Sequence, residues 1–276
     1  MRFLCLHGQG TSSDVLKTQI ASLRYQLDAT DSHEFDFIDG AVLWPPARSI
    51  REVFGDEVES FSYFDESAAS ILGAVVDLAQ YIDSHGPFDG VIGFSQGAVL
   101  AATLIIAQTE TQRGGMVPVT QTQPPLSFPT ETHTHTQTHG SRPSPSPSPT
   151  PTVDEDVDPS THLPRLPPFR CAVFLCGGLP FAWEALKRGR VELITPPPSS
   201  SSSSSSCDRP LVEIPVVNCW AAHDEDYPGM GPPLSRLCAP EINEQVIHGA
   251  GHAVPSEGDD LIALEAAVRA TFERVR

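Results

Sequence analysis

A serine between two glycines, in the pentapeptide Gly-Phe-Ser-Gln-Gly at 93–97, is the first candidate for chemistry. The apolar run 88–94 predicts a strand and residues 96–107 predict a helix, so Ser95 would form the corner between them. The flanking glycines carry no side chains that would collide where strand and helix approach each other. On such a corner the Ser95 hydroxyl is a candidate nucleophile, and an ordinary tight turn is the alternative.

A serine nucleophile needs a base to remove its proton and a carboxylate to orient that base. The predicted strand IPVVNCWA is followed by HDEDYP, which offers Asp224, Glu225 and Asp226. Asp224 is the predicted acid because it comes three residues after the last apolar position of the strand, early in the turn. Asp226 is the alternative acid.

The base is predicted further along, in the segment HGAGHAVP that follows the strand EINEQVI. This segment offers His248 and His252. The loop around His252, with glycines before it and a proline after it, suits an imidazole that reaches back toward Ser95. His248, still on the strand end, is predicted to be structural. The order serine, acid, histidine is that of the α/β-hydrolases.

A tetrahedral oxyanion needs two converging backbone N–H donors. The backbone N–H of Gln96, directly after the nucleophile, is predicted to be one of them. The second is predicted at Gln9, in the segment LHGQG after the first strand. His7, in the same segment, is predicted to shape this loop rather than to act as a base.

These residues need a scaffold, and the hydrophobic pattern predicts one. The runs RFLCL, FDGVIGF, CAVFLC and IPVVNCW are nearly continuous apolar stretches, typical of strands buried on both faces. Residues 66–84 and 259–275 repeat apolar side chains at three-and-four spacing, which predicts helices. Strands alternating with helices predict an α/β fold, a mostly parallel sheet with helices on both faces, whose ligands bind beyond the carboxyl ends of the strands.

Low-complexity sequence interrupts this pattern. Residues 109–168 hold few periodic apolar positions and are predicted to be a disordered insertion, and 195–206 a flexible Pro/Ser loop. The rest predicts a single domain across 1–276. The insertion contains His133, His135 and His139, which are predicted to be solvated, so we expect neither a metal site nor a cofactor.

Charge and composition limit the partners and the location that can be expected for this protein. The chain has 17 Lys and Arg against 35 Asp and Glu, a net charge of -18, which argues against nucleic acid or anionic lipid as partners. The N-terminal apolar stretch is too short for a secretion signal, and no run reaches the roughly 18 apolar residues of a membrane helix, so a cytoplasmic protein is predicted. The six cysteines form no C-x-x-C pair and are predicted to be buried thiols.

Longer motifs carry a family resemblance. The segments FLCLHGQG at the start, GPFDGVIGFSQGA at 86–98, HDEDYP at 223–228 and HGAGHAVP at 248–255 resemble the fungal "family of serine hydrolase" proteins, relatives of the animal ovarian-cancer-associated esterase. The resemblance implies an α/β-hydrolase fold, hydrolysis of carboxylic esters or thioesters, and Ser95, Asp224 and His252 as a catalytic triad. Some fungal members are similar to thioesterases that release polyketides, which implies a setting in secondary metabolism.

The function expected from these observations is a two-step acyl transfer to water, on a small-molecule ester or thioester with an apolar acyl group. The aromatic residues within 44–64 are candidates for the wall of its pocket, and packing in the core is an equal alternative: they are Trp44, Phe54, Phe61, Tyr63 and Phe64. An acyl carrier protein is a further candidate partner. Its acidic surface would be repelled unless Arg24, Arg48 and Arg51 formed a basic patch. The alternatives are a catalytically silent binding protein, and an acyltransferase or peptidase using the same triad.

Overall fold

The structure, a computed structural model, describes residues 1–29, 31–112, 163, 169–196 and 210–276. The strands are β1 (Arg2–Leu6), β2 (Glu34–Ile38), β3 (Val42–Leu43), β4 (Phe61–Ser62), β5 (Gly90–Phe94), β6 (Cys171–Leu175), β7 (Val216–Ala221) and β8 (Asn243–His248). Six of them form a parallel sheet in the order β2-β1-β5-β6-β7-β8, and β3 and β4 form a separate antiparallel pair.

Helices cover both faces of the sheet. They are α1 (Ser13–Gln19), α2 (Ala21–Asp28), α3 (Arg48–Phe54), α4 (Ala68–His85), α5 (Gln96–Gln112), α6 (Trp183–Leu186), α7 (Pro232–Ser235) and α8 (Gly258–Glu273), with a short 3-10 turn at Pro240–Ile242. Alternate residues of β1 point to opposite layers: Leu4 and Leu6 pack in the layer of α4, α5 and α6, and Phe3 and Cys5 in that of α1, α2 and α8. The predicted α/β-hydrolase fold is confirmed.

The predicted start of the disordered insertion, at residue 109, is wrong by four residues. Helix α5 continues to Gln112, and the hydroxyls of Thr109 and Thr111 donate to carbonyls one turn earlier. Such bonds give the two threonine hydroxyls partners on the helix itself, although the sequence has turned polar here. Leu163, also inside the predicted insertion, packs against the core.

Several predictions fall outside the described residues. They concern 113–162 and 164–168 of the predicted insertion with its three histidines, most of the predicted Pro/Ser loop, and Cys207. A single domain across 1–276 stays a prediction. The five cysteines that are described are all buried and free.

Two further findings concern the described ranges. None of the helices within them is long and apolar enough to cross a membrane. Within the same ranges, no three His, Cys, Asp or Glu side chains gather as a metal site would require.

The segment between β2 and α4 covers the carboxyl edge of the sheet beside β1. Backbone hydrogen bonds join Gly10 to Phe61 and Phe61 to Thr11, so β4 is tied to the loop that follows β1. Ala47, just before α3, donates to the carbonyl of Gly10. The loop that carries Gln9 is thereby fixed from the outside by the β3–β4 segment.

Candidate active site

Ser95 stands on a strained corner between β5 and α5. Its φ is 51°, a left-handed conformation that few non-glycine residues adopt. A Cβ on Gly93 would lie 2.6 Å from the Cα of Ala98, and one on Gly97 would lie 2.3 Å from the carbonyl oxygen of Leu6. Neither distance is possible, so Gly93 is required for β5 and α5 to meet, and Gly97 is required for α5 to begin beside the end of β1.

The structure brings His252 to this hydroxyl. Its Nε2 lies 2.9 Å from Ser95 Oγ, and its Nδ1 lies 2.6 Å from Asp224 Oδ2. Ser95 is only 7% exposed, and the side chains of His252 and Asp224 are 10% and 6% exposed. An Nδ1–H that donates to the carboxylate leaves Nε2 free to accept the serine proton, which is the geometry of a general base with its orienting group.

The second carboxylate oxygen distinguishes Asp224 from Asp226. Asp224 Oδ1 accepts a hydrogen bond from the backbone N–H of Tyr227 at 2.8 Å, so the carboxylate is held at both oxygens. The Tyr227 ring packs over the His252 imidazole at 4.3 Å, and the Phe94 ring lies 5.2 Å away. Asp226 is exposed instead. The acid loop therefore binds the imidazole and also shields it from water.

Gln9, on the loop after β1, and Gln96, directly after Ser95, line one cavity. A Cβ on Gly8 would lie 2.9 Å from the Phe94 ring and 3.4 Å from Ser95 Cβ, so glycine lets this loop approach the serine. In the described part of the chain, neither the backbone N–H of Gln9 nor that of Gln96 donates to another protein atom. Both N–H groups are free for an oxyanion.

His7 is buried at the start of the loop that follows β1. Its Nδ1 lies 2.7 Å from the carbonyl oxygen of Gly8, and its Nε2 accepts a hydrogen bond from the backbone N–H of Gly40 at 3.0 Å. Its own backbone N–H donates to the hydroxyl of Tyr63. Burial lowers the pKa of His7, which keeps the ring neutral. This ring shapes the loop and does not reach the serine.

His248 anchors the loop that presents His252. Its Nδ1 accepts a hydrogen bond from the backbone N–H of Ala250 at 3.2 Å, and its Nε2 lies 3.8 Å from the thiol of Cys176. That thiol in turn faces the carbonyl oxygen of Ala253 at 3.6 Å. Burial lowers the pKa of His248. The loop is thus held on both sides of His252 by one buried pair.

The side chain of Gln96 has a role that sequence reasoning missed. It is buried, its Oε1 accepts from the backbone N–H of Tyr63, and its Nε2 donates to the carbonyl of Phe64 and to Ser62 Oγ. The residue after the nucleophile therefore fixes the β4 segment with its side chain. The sequence signal for this role is a long polar side chain at the start of an otherwise apolar helix, because a buried polar side chain needs hydrogen-bond partners.

Gln9 and Gln96, the latter directly after Ser95 in the chain, line an apolar cavity of about 170 Å³. Of the candidate aromatic residues, Phe64 lines this cavity, whereas Phe54 is 59% exposed and Tyr63 is buried with its hydroxyl at the backbone N–H of His7. The other walls come from α4, α5 and later loops. They are Ile71, Val99, Leu179, Phe181, Leu193 and Met230.

The parallel sheet, the strained serine corner and the histidine hydrogen-bonded to it define an α/β-hydrolase. The family model described as serine hydrolase (FSH1) matches residues 1–263. The chain belongs to this serine hydrolase family, which confirms the resemblance seen in its motifs.

Several proteins are similar to this chain over most of its length. Esterase FPY3 of Fusarium mangiferae is 32% identical over 255 residues, which are 92% of this chain and 88% of that protein. Esterase alnB of Emericella nidulans is 27% identical over 288 residues, covering 97% and 95%. The crystal structure of Arabidopsis thaliana SOBER1 is 13% identical with a TM-score of 0.48, covering 99% of this chain and 99% of that one.

Proposed function

We propose that this protein hydrolyses carboxylic esters of small apolar acids, with Ser95 as nucleophile, His252 as general base and Asp224 as its orienting acid. The observation that carries the proposal is the unbroken chain of contacts from Ser95 Oγ to His252 Nε2 at 2.9 Å and from His252 Nδ1 to Asp224 Oδ2 at 2.6 Å. Such a chain raises the nucleophilicity of an otherwise weak serine hydroxyl.

The reaction proceeds in two steps. His252 Nε2 takes the proton of Ser95 as Oγ bonds to the ester carbonyl carbon, and the N–H groups of Gln9 and Gln96 stabilise the oxyanion. The tetrahedral intermediate collapses, His252 returns the proton to the leaving alkoxide, and the alcohol departs. Water then attacks the acyl-enzyme with His252 again as base, and the carboxylic acid is released as Ser95 regains its proton.

The leaving group is the less defined part of the substrate. A thioester reacts by the same steps with a thiolate as leaving group, so we include thioesters in the proposal. The relatives FPY3 and alnB are named esterases, which favours oxygen esters as the first substrates to test.

A free small molecule is preferred over an acyl group on a carrier protein. Arg48 forms an ion pair with Glu52 and Arg51 with Asp56, while Arg24 packs over the rings of β2. The acidic partners of Arg48 and Arg51 offset their charge, and the net charge of -18 would repel an acidic carrier. A cytoplasmic location and a role in secondary metabolism also stay predictions.

Turnover of p-nitrophenyl acyl esters tests the proposal. The wild type should release p-nitrophenol with a burst that equals the enzyme concentration wherever deacylation is slower than acylation. Ser95→Ala should show no burst and a steady rate near background, with an unchanged melting temperature. A folded wild type that turns over no ester and no thioester would refute the proposal in favour of a silent binding protein. Faster transfer to added alcohols or faster cleavage of peptides would favour an acyltransferase or a peptidase.

A further inference from the structure

The tripeptide Gly-Met-Gly at 229–231 brings one flexible side chain to the cavity. Gly229 and Gly231 have φ values of 85° and 94°, which only glycine adopts without strain. A Cβ on Gly231 would lie 2.4 Å from the Trp220 side chain, so the backbone passes directly over that ring. Met230, between them, lines the cavity beside Gln9 and Gln96.

Gly178 makes room for the end of this methionine. A Cβ on Gly178 would lie 3.1 Å from Met230 Cε and 3.3 Å from a methyl of Val99, both closer than ordinary contacts. Val99 is one helical turn after Ser95, and its N–H donates to the Ser95 carbonyl. The thioether of Met230 and the side chain of Val99 therefore both pack at Gly178, in the same wall of the cavity.

We infer that Met230 is a specificity-determining residue that sets the length of the acyl chain, with Gly178 fixing where its thioether lies; this rests on the proposed function. The size of the cavity gives the scale. A cavity of roughly 150 Å³ holds benzene, and this one is about 170 Å³. An acyl group of about six carbons fills it while the thioether is in place.

Methionine is suited to this role because its unbranched side chain adapts to its neighbours. Truncation to alanine removes the atoms beyond Cβ and extends the cavity along the 229–231 loop. An extra methylene that fits a hydrophobic pocket changes kcat/KM by about tenfold or more. Longer acyl chains should therefore gain relative to six-carbon chains when Met230 is shortened.

The same loop also holds Asp224, so the test must separate specificity from catalysis. Met230 N–H donates to the carbonyl of Tyr227, whose own N–H donates to Asp224. A general disturbance of this loop would lower the rate for every substrate equally. A change in the ratio of kcat/KM between long and short acyl chains therefore results from the cavity alone.

The experiment measures kcat/KM for p-nitrophenyl esters from two to twelve carbons. The variants are Met230→Ala, Gly178→Ala and the double variant, with Ile262→Ala as control because Ile262 is 62% exposed on α8 and does not line the cavity. Met230→Ala should move the optimum to longer chains and raise the ten-to-six carbon ratio about tenfold. Gly178→Ala should move the optimum to shorter chains. This effect should be smaller once Met230 is alanine, because the contact with Met230 Cε is then absent and only that with Val99 remains.

A second measurement works without turnover. Binding of saturated fatty acids to Ser95→Ala, with and without Met230→Ala, should show the same shift of the affinity optimum by calorimetry. Unchanged ratios in Met230→Ala, or an equal loss for all chain lengths, would overturn the inference while leaving ester hydrolysis intact. A protein that turns over no ester but shows the shift in binding would instead refute the proposed reaction and keep the role of Met230.

Discussion

Replacement of Asp224 by asparagine should nearly abolish activity without unfolding the protein. Asp224 Oδ1 accepts the N–H of Tyr227 at 2.8 Å, so an asparagine must place its carbonyl oxygen there. Its NH₂ then faces His252 Nδ1, which has to act as acceptor, and the imidazole proton moves to Nε2. That nitrogen lies 2.9 Å from Ser95 Oγ and can no longer accept the serine proton.

The magnitude follows from this change of tautomer. The same substitution in a protease triad lowers kcat about 10⁴-fold, which corresponds to about 5 kcal/mol in the activation barrier. Both hydrogen bonds of the side chain are retained, so the melting temperature should change little. The assay is kcat for a six-carbon p-nitrophenyl ester, followed beside a thermal melt.

Asp226→Asn is the matched control, since it makes the same change of charge two residues away on an exposed side chain. It should retain activity within about twofold, as surface substitutions generally do. Less than a tenfold loss in Asp224→Asn, or a larger loss in Asp226→Asn, would refute the assignment of the acid.

Other consequences concern stability. Gly97→Ala would place a Cβ 2.3 Å from the carbonyl oxygen of Leu6, so it should lower the free energy of unfolding in urea by about 3 kcal/mol or more. A urea midpoint equal to that of the wild type would contradict the steric argument. His248→Ala leaves the N–H of Ala250 without its acceptor and should cost about 1–3 kcal/mol and lower kcat more than it raises KM; unaltered kinetics would contradict the anchoring role. Burial lowers the pKa of His7 and His248, so these rings bind more protons in the unfolded chain and should reduce stability below about pH 6.5, by up to about 1.4 kcal/mol per pH unit for each ring. Burial raises the pKa of Glu110 to about 7, which acts in the opposite direction over the same range. Unfolding free energies of Glu110→Gln that are flat between about pH 7.5 and 5.5 would therefore contradict the histidine effect.

The corner at Ser95 was predictable from sequence because its cause is largely local. Steric exclusion at Gly93 acts within one strand–turn–helix unit, so the glycine pattern predicts the corner, whereas Gly97 is required because α5 begins against the carbonyl oxygens of Leu6 and His7 at the end of β1. The buried strands were predictable for a similar reason, because short continuous apolar runs are typical of strands that are buried on both faces. Asp224 and His252 could be proposed from their order and their place at strand ends, although their contact with Ser95 depends on the whole sheet.

Other features depend on contacts between distant segments and could not be read from a local pattern. The edge strand β2, EFDFI, is only partly buried, so its apolar signal is weak. The β3–β4 pair is two residues long on each side and is held by the loop after β1. The cavity walls come from separate parts of the chain, so the aromatic residues of 44–64 alone could not identify them.

The central claim is that Ser95 is the nucleophile, and covalent labelling tests it most directly. A fluorophosphonate should react stoichiometrically with the folded wild type, and mass spectrometry should place the added mass on the peptide that contains Ser95. His252→Ala should react at least about a hundredfold more slowly, because general-base assistance typically contributes 10²–10⁴-fold. A folded wild type that remains unlabelled, or carries the label on another residue, would contradict the account.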